Sequence, residues 1–201
     1  MICRANSNDL SIALARAAVK DCRSFVSFGI AGGLLPNLSP GSCIIGSEII
    51  SGAARLATDL NWSKLLLQAI PDAIYGRIVG VSYPVAHPEA KRALYAKSGA
   101  VVVDMESHIV ASVAAANRQP FAAIRVVIDP AERELPQAAL AAIRPNGTID
   151  IIAMMRSVLG HPGKSCALAQ TMRDGLAAHV TLRRIRRSLG AVLGQADLPL
   201  G

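Results

Sequence analysis

AVVVDMESHIVASVAAANRQPFAAIRVVID, residues 100–129, contains the alternation on which the fold turns. Its first five residues centre on three β-branched valines and are too few for a helix, so 100–104 reads as a short buried strand. Residues 105–120 (MESHIVASVAAANRQP) are rich in helix-forming Ala, and the helix must stop before Pro120, because the residue preceding a proline is pushed out of the helical region. FAAIRVVID, residues 121–129, is again almost wholly apolar and reads as a strand covered on both faces. A strand, a helix and a strand in thirty residues predict an α/β architecture.

The same alternation extends upstream. Residues 8–20 (NDLSIALARAAVK) have helical spacing, with Asn8 or Ser7 as N-cap, and SFVSFGIAGGL (24–34) is a strand that opens into a glycine-rich loop. Pro36, Pro40 and Gly41 mark a turn, CIIGSEIIS (43–51) a buried strand, and residues 75–82 another. HPEAKRALYAKSG (87–99) reads as a surface helix with Pro88 in its first turn and Gly99 at its end. After residue 130 the pattern gives a loop and two helices, 148–159 and 165–190. With no repeat or linker, residues 1–201 form one domain, predicted as a three-layer mixed sheet with helices on both faces and ligands at the C-terminal ends of strands.

Composition narrows the classes. A chain that is 52% hydrophobic and 17% charged is too apolar to be disordered, and 3% aromatic content leaves the core to Ala, Val, Ile and Leu. No apolar run reaches the ~18–20 residues of a membrane span, and MICRANSNDL lacks the apolar centre of a signal peptide, so the expected location is cytoplasmic. Cys3, Cys22, Cys43 and Cys166 have no paired spacing, which argues for reduced thiols and against a disulfide framework or a metal site. The net charge of +7 gathers at Arg183, Arg184, Arg186 and Arg187, and the scarcity of aromatic residues argues against nucleic acid.

Three segments carry chemistry. Backbone N–H groups of Gly29–Gly33, at a strand end, could cradle a phosphate or an attacking water, although glycines serve tight turns equally well. Asp104 and Glu106 stand at a strand-to-helix junction, where helix-terminal charge preference alone can explain either. Asp129 ends an apolar strand, a placement that suits a general acid as well as a turn cap before Pro130. His87 and His108, at helix starts, are given no catalytic role, and Arg125, inside a strand, is expected to be an ion-pair partner.

SFGIAGGL, VVVDMES and AIRVVID, in this order and at these separations across residues 24–130, resemble the signature segments of the purine nucleoside phosphorylase and methylthioadenosine nucleosidase superfamily. Within it, the GA-x-x-VDMES form and the RVV-x-DP ending followed by Leu135-Pro136 are most similar to hopanoid-associated phosphorylases. The resemblance implies a phosphorylase/hydrolase-like fold, a homo-oligomer, and release of adenine from adenosylhopane with inorganic phosphate as co-substrate and no cofactor. It implies that Glu106 holds the ribose 2′- and 3′-hydroxyls, Met105 packs against the sugar, and Asp129 protonates N7 of the leaving adenine. It further implies that Tyr83, Pro84 and Val85 line the base pocket and that Gly29, Ile30, Ala31, Gly32 and Gly33 bind phosphate. Two departures matter: Ile30 stands where relatives often carry a small hydroxyl residue, and relatives begin with an additional strand facing the nucleophile, residues 1–6 here reading as the end of the second one. They keep open hydrolysis of a soluble adenine nucleoside, and a degenerate relative that binds without turnover.

HVTLRRIRRSLGAVLG, residues 179–194, places Val180, Leu182, Ile185, Leu189 and Val192 at helical spacing with arginines between them. This predicts a packing helix with a solvated basic face. The alternative is a face that rests weakly on anionic lipid at the inner membrane surface.

Overall fold

The computed structural model describes residues 7–19, 22–135 and 165–189. In chain order these form α1 (Ser7–Val19), β1 (Phe25–Gly33), β2 (Cys43–Ser51), β3 (Ala54–Ala57), α2 (Leu60–Ala69), β4 (Ile74–Gly80), α3 (Pro88–Ser98), β5 (Val102–Asp104), α4 (Ser107–Ala116), β6 (Phe121–Asp129) and α5 (Ser165–Ser188). The helix expected over 148–159 lies outside the described residues, as do residues 1–6.

The strands form one mixed sheet in the order β3-β2-β4-β5-β1-β6. β1 runs parallel to β6 and antiparallel to β5, while β4 runs parallel to both β2 and β5. β2 also pairs antiparallel with β6, Cys43 opposite Val126, so the twisted sheet curls round and joins its two sides. β3 is a short exposed antiparallel partner folded back on β2. Neither this closure nor β3 and α2 is anticipated by the sequence pattern. The start of α2 has a local cause, however: the Asp59 carboxylate accepts from the Trp62 amide at 2.7 Å, a side-chain N-cap.

Helices cover both faces, and β6 shows why its sequence is so apolar. Phe121, Ala123 and Val127 point into a core shared with Leu10 and Leu14 of α1 and Val110, Ala111 and Ala114 of α4. The alternate residues Ala122, Ile124 and Val126 enter a second core with Leu66 of α2, Ala178 and Ile185 of α5, and Leu189 just beyond it. Each fully buried Ile or Leu contributes about 1.5–3 kcal/mol, so a strand immersed on both faces is a strong anchor for whatever stands at its end. α3 begins with Pro88 at its first turn and ends at Gly99, whose φ of 63° lies in the left-handed region that favours glycine.

Three expectations need correction. Gly29–Gly33 is not a loop but the last part of β1, paired with β6 on one side and, at Gly32 and Gly33, with β5 on the other. α3 is not simply a surface helix, because Lys91 is fully buried. On α5 the buried stripe is Asp174, Ala178, Thr181 and Ile185, continued by Leu189 just past its end, whereas Val180 faces solvent at 65% exposure and Leu182 is only partly buried. Val192 lies outside the described residues. Cys22 and Cys43 are free thiols, and burial pushes the Cys43 thiol up to about 12; Cys3 and the side chain of Cys166 are not among the described groups.

Candidate active site

Strand register gathers the three chemistry-bearing segments. Gly32 is opposite Val103 on one side and Asp129 on the other, and Asp104 is opposite Gly80. With neighbouring strands about 4.8 Å apart, the ends of β5 and β6 stand about 10 Å apart with a bare glycine between them. A Cβ on Gly32 would come within 3.4 Å of the Asp129 Oδ1, and one on Gly33 within 3.1 Å of the Asp129 carbonyl oxygen. These glycines therefore let β6, bulged at Ile128 opposite the Ala31–Gly32 step, bring its terminal carboxylate close over β1.

The two carboxylates of the DMES segment have different surroundings. Asp104 is buried and pairs with the Arg125 Nε, its oxygens also accepting from the Ser107 amide and hydroxyl. Arg125, 2% exposed, donates further to the hydroxyls of Ser27 (2.6 Å) and Ser107 (2.7 Å) and to the Ile124 carbonyl (3.0 Å). A buried charge is tolerated only when it is paired and hydrogen-bonded in this way, and the network ties β5 and the start of α4 to β1 and β6. Arg125 is thus the ion-pair partner that its place in a strand suggested. Glu106 occupies the N-cap position of α4 yet makes no side-chain capping bond. Burial pushes its carboxyl up, Arg125 pulls it down, nearby Asp104 pushes it up again, and a backbone hydrogen bond at Met105 lowers it. Glu106 thus stands outside the ion pair that engages Asp104.

Asp129 is 8% exposed and its carboxylate is met by the ammonium of Lys91 from α3. Burial drives its carboxyl up, opposed by Lys91 and then by Arg133. The following segment, 130–135, is held from several sides. Lys91 also donates to the carbonyls of Pro130 (2.8 Å) and Arg133 (3.0 Å), and the Leu135 amide donates to the Ala86 carbonyl (3.0 Å). Glu132 accepts from the Asn37 amide at 2.9 Å, Glu134 pairs with His87 at 3.2 Å, and Arg133 pairs with Asp174 of α5. Lys91 has a faint signature in the sequence, since it shares a helical face with Leu94 and Tyr95, which pack inward three and four residues on.

Met105 is partly buried beside Glu106. Tyr83 is 81% exposed and Pro84 is exposed, so the segment after β4 presents them at the surface, while Val85 packs against the core around Val79 and Val103. Ile30 lies within β1 opposite Val126, and Ala31 is buried opposite Val127. His108 lies against Gly80, where a Cβ would meet its ring at 2.6 Å; its buried Nδ1 has no hydrogen-bond partner, and burial lowers its pKa. An open cleft of about 410 Å³ lies beside Asn37, Pro130, Glu132 and Arg133, but neither Asp129 nor Glu106 lines it.

A mixed sheet between helices, with acid groups gathered at strand ends around a bare glycine, has the nucleoside phosphorylase/nucleosidase fold. The model of the phosphorylase superfamily matches residues 8–159, more than half of the chain, and the chain belongs to that superfamily. Its structure is similar to a variant of the methylthioadenosine nucleosidase of Helicobacter pylori with 5′-methylthioadenosine in its active site. That match has a TM-score of 0.59 and 16% identity, over 64% of this chain and 65% of the other. It is also similar to the futalosine hydrolase of Helicobacter pylori (0.61, 16% identity, 76% of each chain). A third similar structure is the 5′-methylthioadenosine/S-adenosyl homocysteine nucleosidase of Campylobacter jejuni (0.61, 15% identity, 76% of this chain and 73% of the other). The chain spans just under two thirds of the first of these structures. A comparison with curated proteins finds no significant match.

Proposed function

We propose that this protein cleaves the N-glycosidic bond of an adenine nucleoside, releasing adenine, with water as the acceptor. The observation that carries the reading is the row Asp129–Gly32–Val103, which sets the Asp129 carboxylate beside a bare strand end, with Glu106 three residues beyond Val103 at the start of α4. Bond cleavage leaves positive charge on the sugar and an electron pair on the purine, so a proton donor is wanted at the base and an anion at the ribose. Asp129 supplies the first by protonating N7. Glu106, free of capping bonds, supplies the second by accepting from the 2′- and 3′-hydroxyls, with Met105 against the sugar and Tyr83, Pro84 and Val85 around the base. Water is favoured over phosphate because Ile30 brings no hydroxyl to the Gly29–Gly33 segment and Arg125, the cation beneath Gly29, is engaged by Asp104, Ser27 and Ser107. The similar nucleosidases and futalosine hydrolase support the same choice. The deciding test is adenine release from methylthioadenosine and adenosylhomocysteine, with and without inorganic phosphate. Release that requires phosphate overturns hydrolysis, and release from no nucleoside in either condition leaves a binding protein without turnover.

Glu106→Gln tests the ribose contact. It is expected to weaken binding of ribosides by about 1.5–3 kcal/mol, tenfold or more, and to leave 2′,3′-dideoxy analogues nearly unaffected. Calorimetry showing equal losses for both ligands would make Glu106 a structural carboxylate.

Phosphorolysis of adenosylhopane is the second reading, and the outer face of α5 favours it. Met172, Leu176 and Val180 are exposed there at 39%, 65% and 65%, followed by Arg183, Arg184 and Arg187, while the acidic Asp174 turns inward to Arg133. An apolar stripe with cations beside it suits an anionic lipid surface from which a lipid-borne nucleoside is taken, each Arg contributing about 1 kcal/mol. No described helix is long and apolar enough to cross a membrane. Changing Arg183, Arg184, Arg186 and Arg187 together to Gln should abolish low-salt co-sedimentation with phosphatidylglycerol liposomes. Undiminished sedimentation of the variant, or none by the parent, returns α5 to a purely packing role.

A further inference from the structure

We infer that Lys91 is a positioning residue for Asp129: its ammonium fixes the carboxyl over Gly32 and sets the pH at which that carboxyl carries its proton. This rests on Asp129 as the proton donor proposed above. Lys91 has no exposed surface, and a buried ammonium persists only where its protons are taken up. Here three acceptors meet it, the Asp129 Oδ2 and the carbonyls of Pro130 and Arg133, which matches its three donors. Each ammonium proton thus has an acceptor of its own, so the Lys91 head group is fully satisfied in place against the Asp129 carboxyl. It also anchors both the carboxyl and the chain leaving β6 to the same atom, holding the carboxyl over the bare Cα of Gly32.

A proton donor must be protonated before it can act, and a neighbouring cation makes that harder. Burial acts in the opposite sense, and the balance between the two decides where the acid functions. The other elements packed around Asp129 supply few competing charges. β1 contributes only Gly29, Ile30, Ala31, Gly32 and Gly33; Asp104 of β5 is neutralised by Arg125; Arg133 is shared with Asp174 of α5. Glu132 is turned to the Asn37 amide and Glu134 to His87. Lys91 is the cation in contact with the acid, and it comes from an element that none of the three sequence motifs includes.

The sign of the effect follows. Activity of a general acid falls as pH rises through its pKa, and removing Lys91 leaves burial less opposed, so in Lys91→Met the falling limb of kcat/KM should move to higher pH by at least one unit. Lys91→Arg, which keeps the charge, should leave the limb near its wild-type position. The ¹³C carboxyl resonance of Asp129, assigned by its loss in Asp129→Asn, gives the same midpoint without any turnover and should shift by the same amount. An unmoved limb and an unmoved resonance in folded Lys91→Met overturn the inference, whatever the variant does to thermal stability. If Lys91→Met does not fold, the wild-type Lys91 ¹⁵Nζ resonance decides: it should titrate with the Asp129 midpoint, and a flat response overturns the inference. Should wild-type protein release no purine while the resonance still moves in Lys91→Met, the proposed reaction fails and the control of Asp129 by Lys91 stands.

Discussion

Asp129→Asn is expected to lower adenine release at saturating substrate by about 10²–10⁴-fold, the usual contribution of a general acid. The carboxamide keeps the shape of the side chain and can still accept from Lys91 through its oxygen, but it has no proton to give to N7. Part of the ion pair is lost, so the variant should melt below wild type, and turnover is to be measured at a temperature where circular dichroism shows both proteins folded. Retention of more than about a tenth of wild-type turnover, a loss below ~1.4 kcal/mol in the barrier, would remove Asp129 from the role. A substrate with a better leaving group should narrow the gap, because a base that departs without help needs less from the acid.

Arg125→Met is expected to cost about 3–5 kcal/mol of stability, since it leaves the buried Asp104 carboxylate without its cation. For a domain of this size that is a fall in melting temperature of roughly 10 °C. Combining it with Asp104→Asn should recover a good part of the loss, because the stranded charge disappears with its partner. If the double variant is as unstable as the sum of the two single ones, the pair does not act as a unit. A melting temperature within a degree or two of wild type in Arg125→Met would show that the network is not what secures β5 and α4.

How much of this could be read from the sequence depends on distance along the chain. The strands at 24–34, 43–51, 75–82, 100–104 and 121–129 were all legible to within a few residues, since apolar runs and flanking breakers are local signals. So were the ends of α3, where Pro88 and Gly99 announce themselves. The division of labour between Asp104 and Glu106 was not legible. Both stand at one junction, and what separates them is Arg125, 21 residues further on and on another strand. Lys91 was hidden for the same reason, reinforced by polar neighbours Glu89 and Arg92 that make α3 look like a solvent-facing helix. The glycines of β1 misled in a different way. Their composition is that of a loop, but the need they answer is the close approach of β6, which only the register reveals. The outward turn of Val180 on α5 depends on where β6 and α2 meet the helix, and periodicity alone leaves that phase open.

The segment 130–135 has a consequence for motion. It is bound at once to α3 through Lys91, to the residues just before α3 through His87 and Ala86, to the turn after β1 through Asn37, and to α5 through Asp174. Segments tied in this way do not fray singly; they open as one cooperative unit whose free energy is shared among all its ties. Hydrogen exchange at the Leu135 amide should therefore keep pace with exchange in the first turns of α3 and the middle of α5, and not with that of an ordinary surface loop. Any fluctuation that uncovers the protein side of Asp129 must loosen α5 as well, so that helix and the acid at the end of β6 share one clock.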